Sequence, residues 1–226
     1  MLEIAEDPYV LDTFEDLIGP NIRCWSMAWR VKKADGQTIA GGHQDSVYAS
    51  PVPVVLGALA LSSCGVQQGC LRGIPGSHKW GHLKHEESDD PRSILGRGQY
   101  IVDEFDEAKA VDFVLEPGEM VMFHNSLIHG SSVNLGPDRR FLLLVQMVPT
   151  WAERPRGRES AMLLRGVDAH DAFDDEPRPD GEWTETALAN WKRVADARGK
   201  RLFQDRRFSL SEAYGGMRPA KPMAVQ

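Results

Sequence analysis

Residues 7–18 read DPYVLDTFEDLI, with apolar side chains at Val10, Leu11, Phe14, Leu17 and Ile18. That spacing gathers them on one side of a 3.6-residue repeat and predicts an amphipathic helix. Asp7 is placed to cap it, Pro8 suits the first helical position, where no amide is needed, and Gly19-Pro20 ends it. The period then changes to two. Over residues 22–33 one parity carries Trp25, Met27, Trp29 and Val31, the other Cys24, Ser26, Ala28, Arg30 and Lys32. Alternation of this kind predicts a strand with Lys32 opposite the tryptophans.

Strand patterns recur at the His43 segment and at residues 54–61, 70–74, 111–115, 119–124, 127–133 and 140–148, with NLGPDR (134–139) expected as a hairpin-like turn between the last two. Residues 79–110 are polar and read as a long excursion with one short helix. Residues 151–182, rich in proline, glycine and charge, read as a loop. From about 183 to 205 a stripe of Leu188, Trp191, Ala195 and Leu202 predicts a C-terminal helix. About eight short strands with a few flanking helices predict a mainly β fold, a barrel or double-sheet jelly roll, in a single domain over 1–226 with its core at about 22–150. The apolar Trp25–Trp29 face has to be covered. The C-terminal helix, through Leu188, Trp191 and Leu202, or a partner chain is expected to cover it.

Composition narrows the function. A net charge of -7 and a pI near 5.5 argue against a nucleic-acid footprint, which needs clustered Lys and Arg. Cys24, Cys64 and Cys70 are odd in number and form no C-x-x-C pair, so neither a disulfide framework nor a zinc site is expected and a reducing cytoplasm fits. The longest apolar run, 52–61, is about half of what a membrane helix needs. The N-terminus, MLEIAEDPYV, is acidic and lacks the basic start of a secretory signal.

The candidate chemistry begins at GGHQDSVY (41–48), where His43 and Asp45 are two residues apart and can approach one ion together. Alone, such a tripeptide is a weak signal. A third ligand should come from FHNSLIHGSSVN, which offers His124 and His129; His78, His82 and His85 lie in the polar excursion and are expected to be exposed. Two histidines and a carboxylate with a cation nearby make the facial triad of non-haem Fe(II) oxygenases. Such a triad leaves three positions open, two for a 2-oxo acid and one for dioxygen. The far carboxylate of that acid then needs a buried cation, a task suited to the fork of an arginine.

GGHQDSVY, GCLRGIPGSHKWG and GEMVMFHNSLIHGSSVN followed by RRF together resemble the phytanoyl-CoA dioxygenase family of Fe(II)/2-oxoglutarate oxygenases, over about residues 7–150. The resemblance implies a double-stranded β-helix (a cupin-like jelly roll) with His43, Asp45 and His129 as iron ligands. It implies that Arg140 and Ser131 hold the C5 carboxylate of 2-oxoglutarate and that Lys32 makes a second basic contact to it. The implied cofactors are Fe(II), 2-oxoglutarate as co-substrate and O2. The implied reaction is hydroxylation or other oxidation of a C–H bond in a small molecule, with release of succinate and CO2. Asp45 takes the coordination position that a halide would need, which disfavours halogenation. The sequence departs from the family at Ala58, where a tryptophan is common; the smaller side chain is expected to widen the pocket near the co-substrate or to leave room for a larger substrate. It also has fewer residues ahead of its first strand than the family's helices occupy, which leaves a second class, a non-catalytic β-helix that binds metal or ligand.

Overall fold

The computed structural model describes residues 1–46, 53–153 and 158–202. A single turn, α1 (Leu2–Ala5), precedes α2 (Pro8–Ile18), which begins as its sequence predicts. The Asp7 carboxylate accepts the Tyr9 amide at 2.9 Å, Pro8 occupies the first turn, and Gly19 at φ 85° ends the helix.

Six strands form the larger sheet: β1 (Ile22–Lys32), β3 (Val55–Ala60), β8 (Met120–His124), β10 (Arg140–Pro149), β11 (Glu159–Arg165) and β12 (Phe173–Asp175). Their order is β12-β11-β1-β10-β3-β8. Facing it are β2 (Ala40–His43), β4 (Leu71–Gly73), β7 (Val111–Phe113) and β9 (His129–Ser131), in the order β2-β9-β4-β7. From β1 to β4, and again from β8 to β10, the chain alternates between the two sheets, the winding of a double-stranded β-helix. The polar excursion holds only a short pair, β5 (His85–Glu86) and β6 (Tyr100–Ile101), and two 3-10 turns, Ser77–Trp80 and Glu107–Lys109.

Apolar residues fill both faces of the larger sheet. Leu11 and Phe14 of α2 pack on the outer face against Ile22, Val55, Leu143 and Val145. Between the sheets, Val54, Leu56 and Ala58 pack with Phe123 and Leu144.

Four expectations need correction. The β1–β10 ladder slips by one residue between Cys24 and Ser26, so Trp25 is an extra, bulged residue. Parity inverts there. Trp25 joins Ser26 and Ala28 on the interior wall while Cys24 joins Met27 outside, and the four-residue apolar face does not exist.

The second correction concerns residues 151–182, which contain β11 and β12 rather than a loop alone. The buried Arg23 guanidinium staples them to β1, donating to Ala161 O at 2.7 Å, Asp168 at 2.8 Å and Asp175 at 2.7 Å. The Asp168 side chain is buried in this ion pair, while Asp175 pairs with Arg23 from the surface.

Third, residues 134–139 do not close a hairpin, because β9 and β10 lie in different sheets; the turn, held by Asn134 donating to Asp138 O at 2.8 Å, crosses between them.

Finally, the C-terminal helix α3 (Glu185–Leu202) does not cover Trp29. Trp29 is 48 % exposed, and on the helix Leu188 is 43 % and Trp191 69 % exposed. The helix instead lies at the open end of the β-helix. Arg198 donates to Ser160 O at 3.1 Å and pairs with Glu176 at 2.9 Å, while Leu202 faces the interior cavity. Among the described residues no helix is long and apolar enough to cross a membrane.

Candidate active site

His43 is the last residue of β2 and His129 the first of β9, and the two are cross-strand partners. Asp45 lies in the turn just past β2, not on the strand as the two-residue spacing suggested, yet it converges on the same point. One ligand atom from each of the three residues lies within 4.8 Å of the others. His43 Nε2 is 3.5 Å from Asp45 Oδ1, and His129 Nε2 is 3.9 Å from Asp45 Oδ2.

The tautomers follow from the main chain. Nδ1 of His43 is 2.9 Å from Gly41 O, and Nδ1 of His129 is 3.0 Å from Leu127 O. A carbonyl can only accept, so each Nδ1 carries the proton and each Nε2 presents its lone pair toward Asp45. Burial opposes the Asp45 anion, but without a metal the His43 and His129 imidazoles, when protonated at Nε2, and the Arg30 charge outweigh it and hold the carboxyl at about 2. Burial, aided by His43, pushes His129 down to about 4. An ionised carboxylate and a neutral imidazole are the forms that bind a metal.

A second layer holds this turn, and it was not read from the sequence. Gln44, fully buried, donates from Nε2 to Gly81 O at 2.9 Å and Ser126 O at 2.8 Å and accepts the Leu83 amide at 2.9 Å. Its own amide donates to His85 Nε2 at 3.0 Å, and His85 Nδ1 donates to Leu83 O at 2.8 Å. His85 is therefore not the solvated residue expected, whereas His78 and His82 are exposed. Ser77 of the GIPGSH turn accepts the Ile128 amide at 2.9 Å, fixing the residue before His129. His124 is not a member of the triad: its Nδ1 accepts the Ser126 amide at 3.0 Å and its ring stands 5.8 Å from that of His78. The glutamine and serine within two of the quoted motifs were the signal available for this layer.

Two residues along β9 from His129, about 6.6 Å of strand, Ser131 marks the other end of the site. Lys32 and Arg140, cross-strand partners on β1 and β10, are 0 % and 2 % exposed. Lys32 Nζ donates to Ser131 Oγ at 2.6 Å and also to Ser132 O. Its ammonium is thus engaged by the hydroxyl and carbonyl of the β9 end of the site. Arg140 lines the cavity and donates from Nη1 to Gly69 O at 2.5 Å, while its Nε has no partner among the described residues. Gly69 lies against the chain that follows β9: its φ is 62°, and a Cβ there would lie 2.4 Å from Ser132 O. Arg139 is exposed.

Among the described residues no carboxylate pairs with Lys32 or Arg140. Burial raises the nearby thiols of Cys64 and Cys70, the latter to about 11, so neither supplies an anion. Burial, and then the Arg140 charge, lowers Lys32 from its ordinary 10.5 to about 7. An uncompensated pair of buried cations is costly, and an anionic ligand would relieve it.

A cavity of about 240 Å³ joins the two ends. Phe123, Leu142 and Leu144 give it an apolar lining, to which Trp25, Gln146 and Leu202 also contribute. Ala58 is fully buried and packs in the core with Leu56, Phe123 and Leu144.

The model of the phytanoyl-CoA dioxygenase (PhyH) family matches residues 2–142. The chain belongs to the phytanoyl-CoA dioxygenase family. It is 28% identical to dioxygenase cnsJ of Penicillium expansum over 152 residues, 55% of this chain and 40% of that protein. It is 31% identical over 134 residues to the peroxisomal phytanoyl-CoA dioxygenase of Homo sapiens, 56% of this chain and 39% of that protein. The chain thus spans about two fifths of the length of these relatives. Among solved structures, the apo form of the non-heme monooxygenase ThoJ superposes with a TM-score of 0.80 at 29% identity, covering 89% of this chain and 75% of ThoJ. The family match ends inside β10, so the wall contributed by β11 and α3 lies outside it.

Proposed function

We propose that this phytanoyl-CoA dioxygenase family member is a non-haem Fe(II)/2-oxoglutarate-dependent dioxygenase that hydroxylates or otherwise oxidises a C–H bond of a small molecule, releasing succinate and CO2. One observation carries the reading. Three metal-competent donors within 4.8 Å of one another share a cavity with a buried guanidinium that has no counter-anion among the described residues. The likeness to ThoJ, a structure of which is a nickel complex (27% identity, TM-score 0.73), supports a metal at the triad.

In this reading His43, Asp45 and His129 hold Fe(II) through Nε2, a carboxylate oxygen and Nε2. The bound iron supplies oxidation by dioxygen coupled to decarboxylation of the co-substrate. Arg140 and Ser131 take the C5 carboxylate, with Lys32 fixing the Ser131 hydroxyl by donating to its oxygen. The strand length between Ser131 and His129 suits a five-carbon diacid whose other end reaches the metal. Phe123, Leu142 and Leu144 exclude water from the reacting centre. Asp45 as third ligand favours hydroxylation over halogenation. Cys24, Cys64 and Cys70 are free and buried, which supports a reducing compartment such as the cytoplasm.

The test is conversion of 2-oxoglutarate to succinate by the purified protein with Fe(II) and O2, which proceeds slowly even without a prime substrate. Metal and 2-oxoglutarate binding with no succinate, under any added metabolite, would instead support a non-catalytic binding domain.

A further inference from the structure

Arg30 lies on the cavity wall of β1, and its cross-strand partner is Leu142, one inward position along β10 from Arg140. Its hydrogen bond is to its own neighbour, from Nη1 to Trp29 O at 3.3 Å, and among the described residues it has no acidic partner. Arg140 aside, the other guanidinium groups around the cavity are paired with acids. Arg97 pairs with Glu87 at 2.7 Å, Arg198 with Glu176 at 2.9 Å, and Arg201 with Glu159 at 3.7 Å.

Charge balance makes this specific. Under the proposed function, Asp45 and both carboxylates of 2-oxoglutarate oppose iron(II), Arg140 and Lys32, and the inner cavity keeps one positive charge in excess before Arg30 is counted. Both co-substrate carboxylates are already engaged, one by Arg140 and Ser131, the other by the metal. Arg30 acts electrostatically on Asp45 and His129, so its charge is felt at the metal centre. A half-buried cation in a site already positive, in a chain whose net charge is -7, is favourable only when an anion joins it.

We propose that Arg30 anchors an anionic group, a carboxylate or phosphate, on the prime substrate. The body of that substrate is small and apolar, because Phe123, Leu142 and Leu144 line the space beside Arg30 and the co-substrate takes part of the volume. The inference rests on the oxygenase reading and names its substrate class.

The test uses the protein loaded with Mn(II), a redox-inert substitute, and 2-oxoglutarate. Paramagnetic broadening of probe protons gives affinity and nearness to the metal without turnover. The probes are phenylacetate, 3-phenylpropionate and 4-phenylbutyrate, each against its carboxamide, and phenyl phosphate against phenol. The expected result is binding of at least one anion about tenfold or more tighter than its uncharged partner, as expected for loss of a charge-assisted contact. Arg30→Gln should erase that preference, Arg30→Lys should keep part of it, and Arg139→Gln should leave it intact. In Arg30→Gln the 2-oxoglutarate affinity should stay within about threefold. No anion preference in the wild-type protein, or a preference that survives Arg30→Gln, would overturn the proposal. So would a loss of 2-oxoglutarate affinity in Arg30→Gln as large as the loss for the probes, which would assign Arg30 to the co-substrate. Failure of the wild-type protein to take up Mn(II) and 2-oxoglutarate is read before any probe is added, and it would remove the oxygenase reading itself.

Discussion

Lys32 and Arg140 face each other across β1 and β10, both buried, with no carboxylate paired to either among the described residues. Two adjacent cations in a folded core would be strongly unfavourable as a permanent arrangement. The protein limits the cost by lowering Lys32 to about 7 and by spending its donors on Ser131 and Ser132. Among the described residues Arg140 keeps one donor, Nε, without a partner.

Removing Arg140 should therefore weaken the co-substrate selectively. Truncating one member of a buried charge pair costs roughly 2–5 kcal/mol, so Arg140→Ala should lower 2-oxoglutarate affinity about 30-fold or more. Arg140→Lys should recover only part, because an ammonium lacks the fork. Arg139→Ala should have little effect, since Arg139 is exposed. Anaerobic calorimetry of the Fe(II)-loaded variants measures all three, and Fe(II) affinity should be nearly unchanged throughout.

The lowered Lys32 gives a pH signature. The unfolded lysine keeps its ordinary 10.5, whereas the folded one releases its proton near 7. Between those values the unfolded chain binds more protons, so stability of the ligand-free protein should rise with pH from about 7 toward 10 and be lost on return. A carboxylate beside Ser131 favours the charged lysine. At pH 8, 2-oxoglutarate binding should therefore take up most of a proton, and at pH 6 almost none. Calorimetry in buffers of different ionisation enthalpy reads this directly, and Lys32→Met should abolish the uptake.

His43→Ala, Asp45→Ala and His129→Ala should each lose tight Fe(II) binding and 2-oxoglutarate turnover, because a three-ligand site has no member to spare. Metal content after desalting and succinate yield are the measurements. Wild-type values of both in any one variant would exclude that residue as a ligand.

The Gln44 and His85 layer should matter less. His85 accepts the main-chain amide between two of the ligands, and Gln44 ties the same turn to three carbonyl or amide groups. His85→Ala and Gln44→Ala should each lower metal affinity by about 10–100-fold, the usual cost of losing support behind a ligand. Metal titration with a competing chelator separates this from the larger loss in the triad variants.

What was legible in the sequence was local. Asp7, Pro8 and the apolar spacing of residues 10–18 define α2 because capping and periodicity are properties of adjacent residues. The donors His43, Asp45 and His129 could be named because their motifs are short and chemically narrow. The Trp25 bulge was hidden, since one extra residue in a strand leaves the alternation of types intact while reversing which face each occupies. β11 and β12 were hidden because Arg23 neutralises Asp168 and Asp175 from far away in the chain. Lys32 was placed on the face opposite Trp29, yet only the three-dimensional structure reveals its contact with the Ser131 hydroxyl.

The most direct test of the iron and 2-oxoglutarate site is optical. Fe(II) and then 2-oxoglutarate are added to the protein without oxygen, and the visible spectrum is followed. Chelation of Fe(II) by the keto acid should produce a charge-transfer band that saturates at one equivalent. It should be absent in Asp45→Ala and reached only at higher 2-oxoglutarate in Arg140→Ala. No band in the wild-type protein, or an equal band in Asp45→Ala, would contradict assignment of the His43, Asp45 and His129 cluster as the site where iron and 2-oxoglutarate meet.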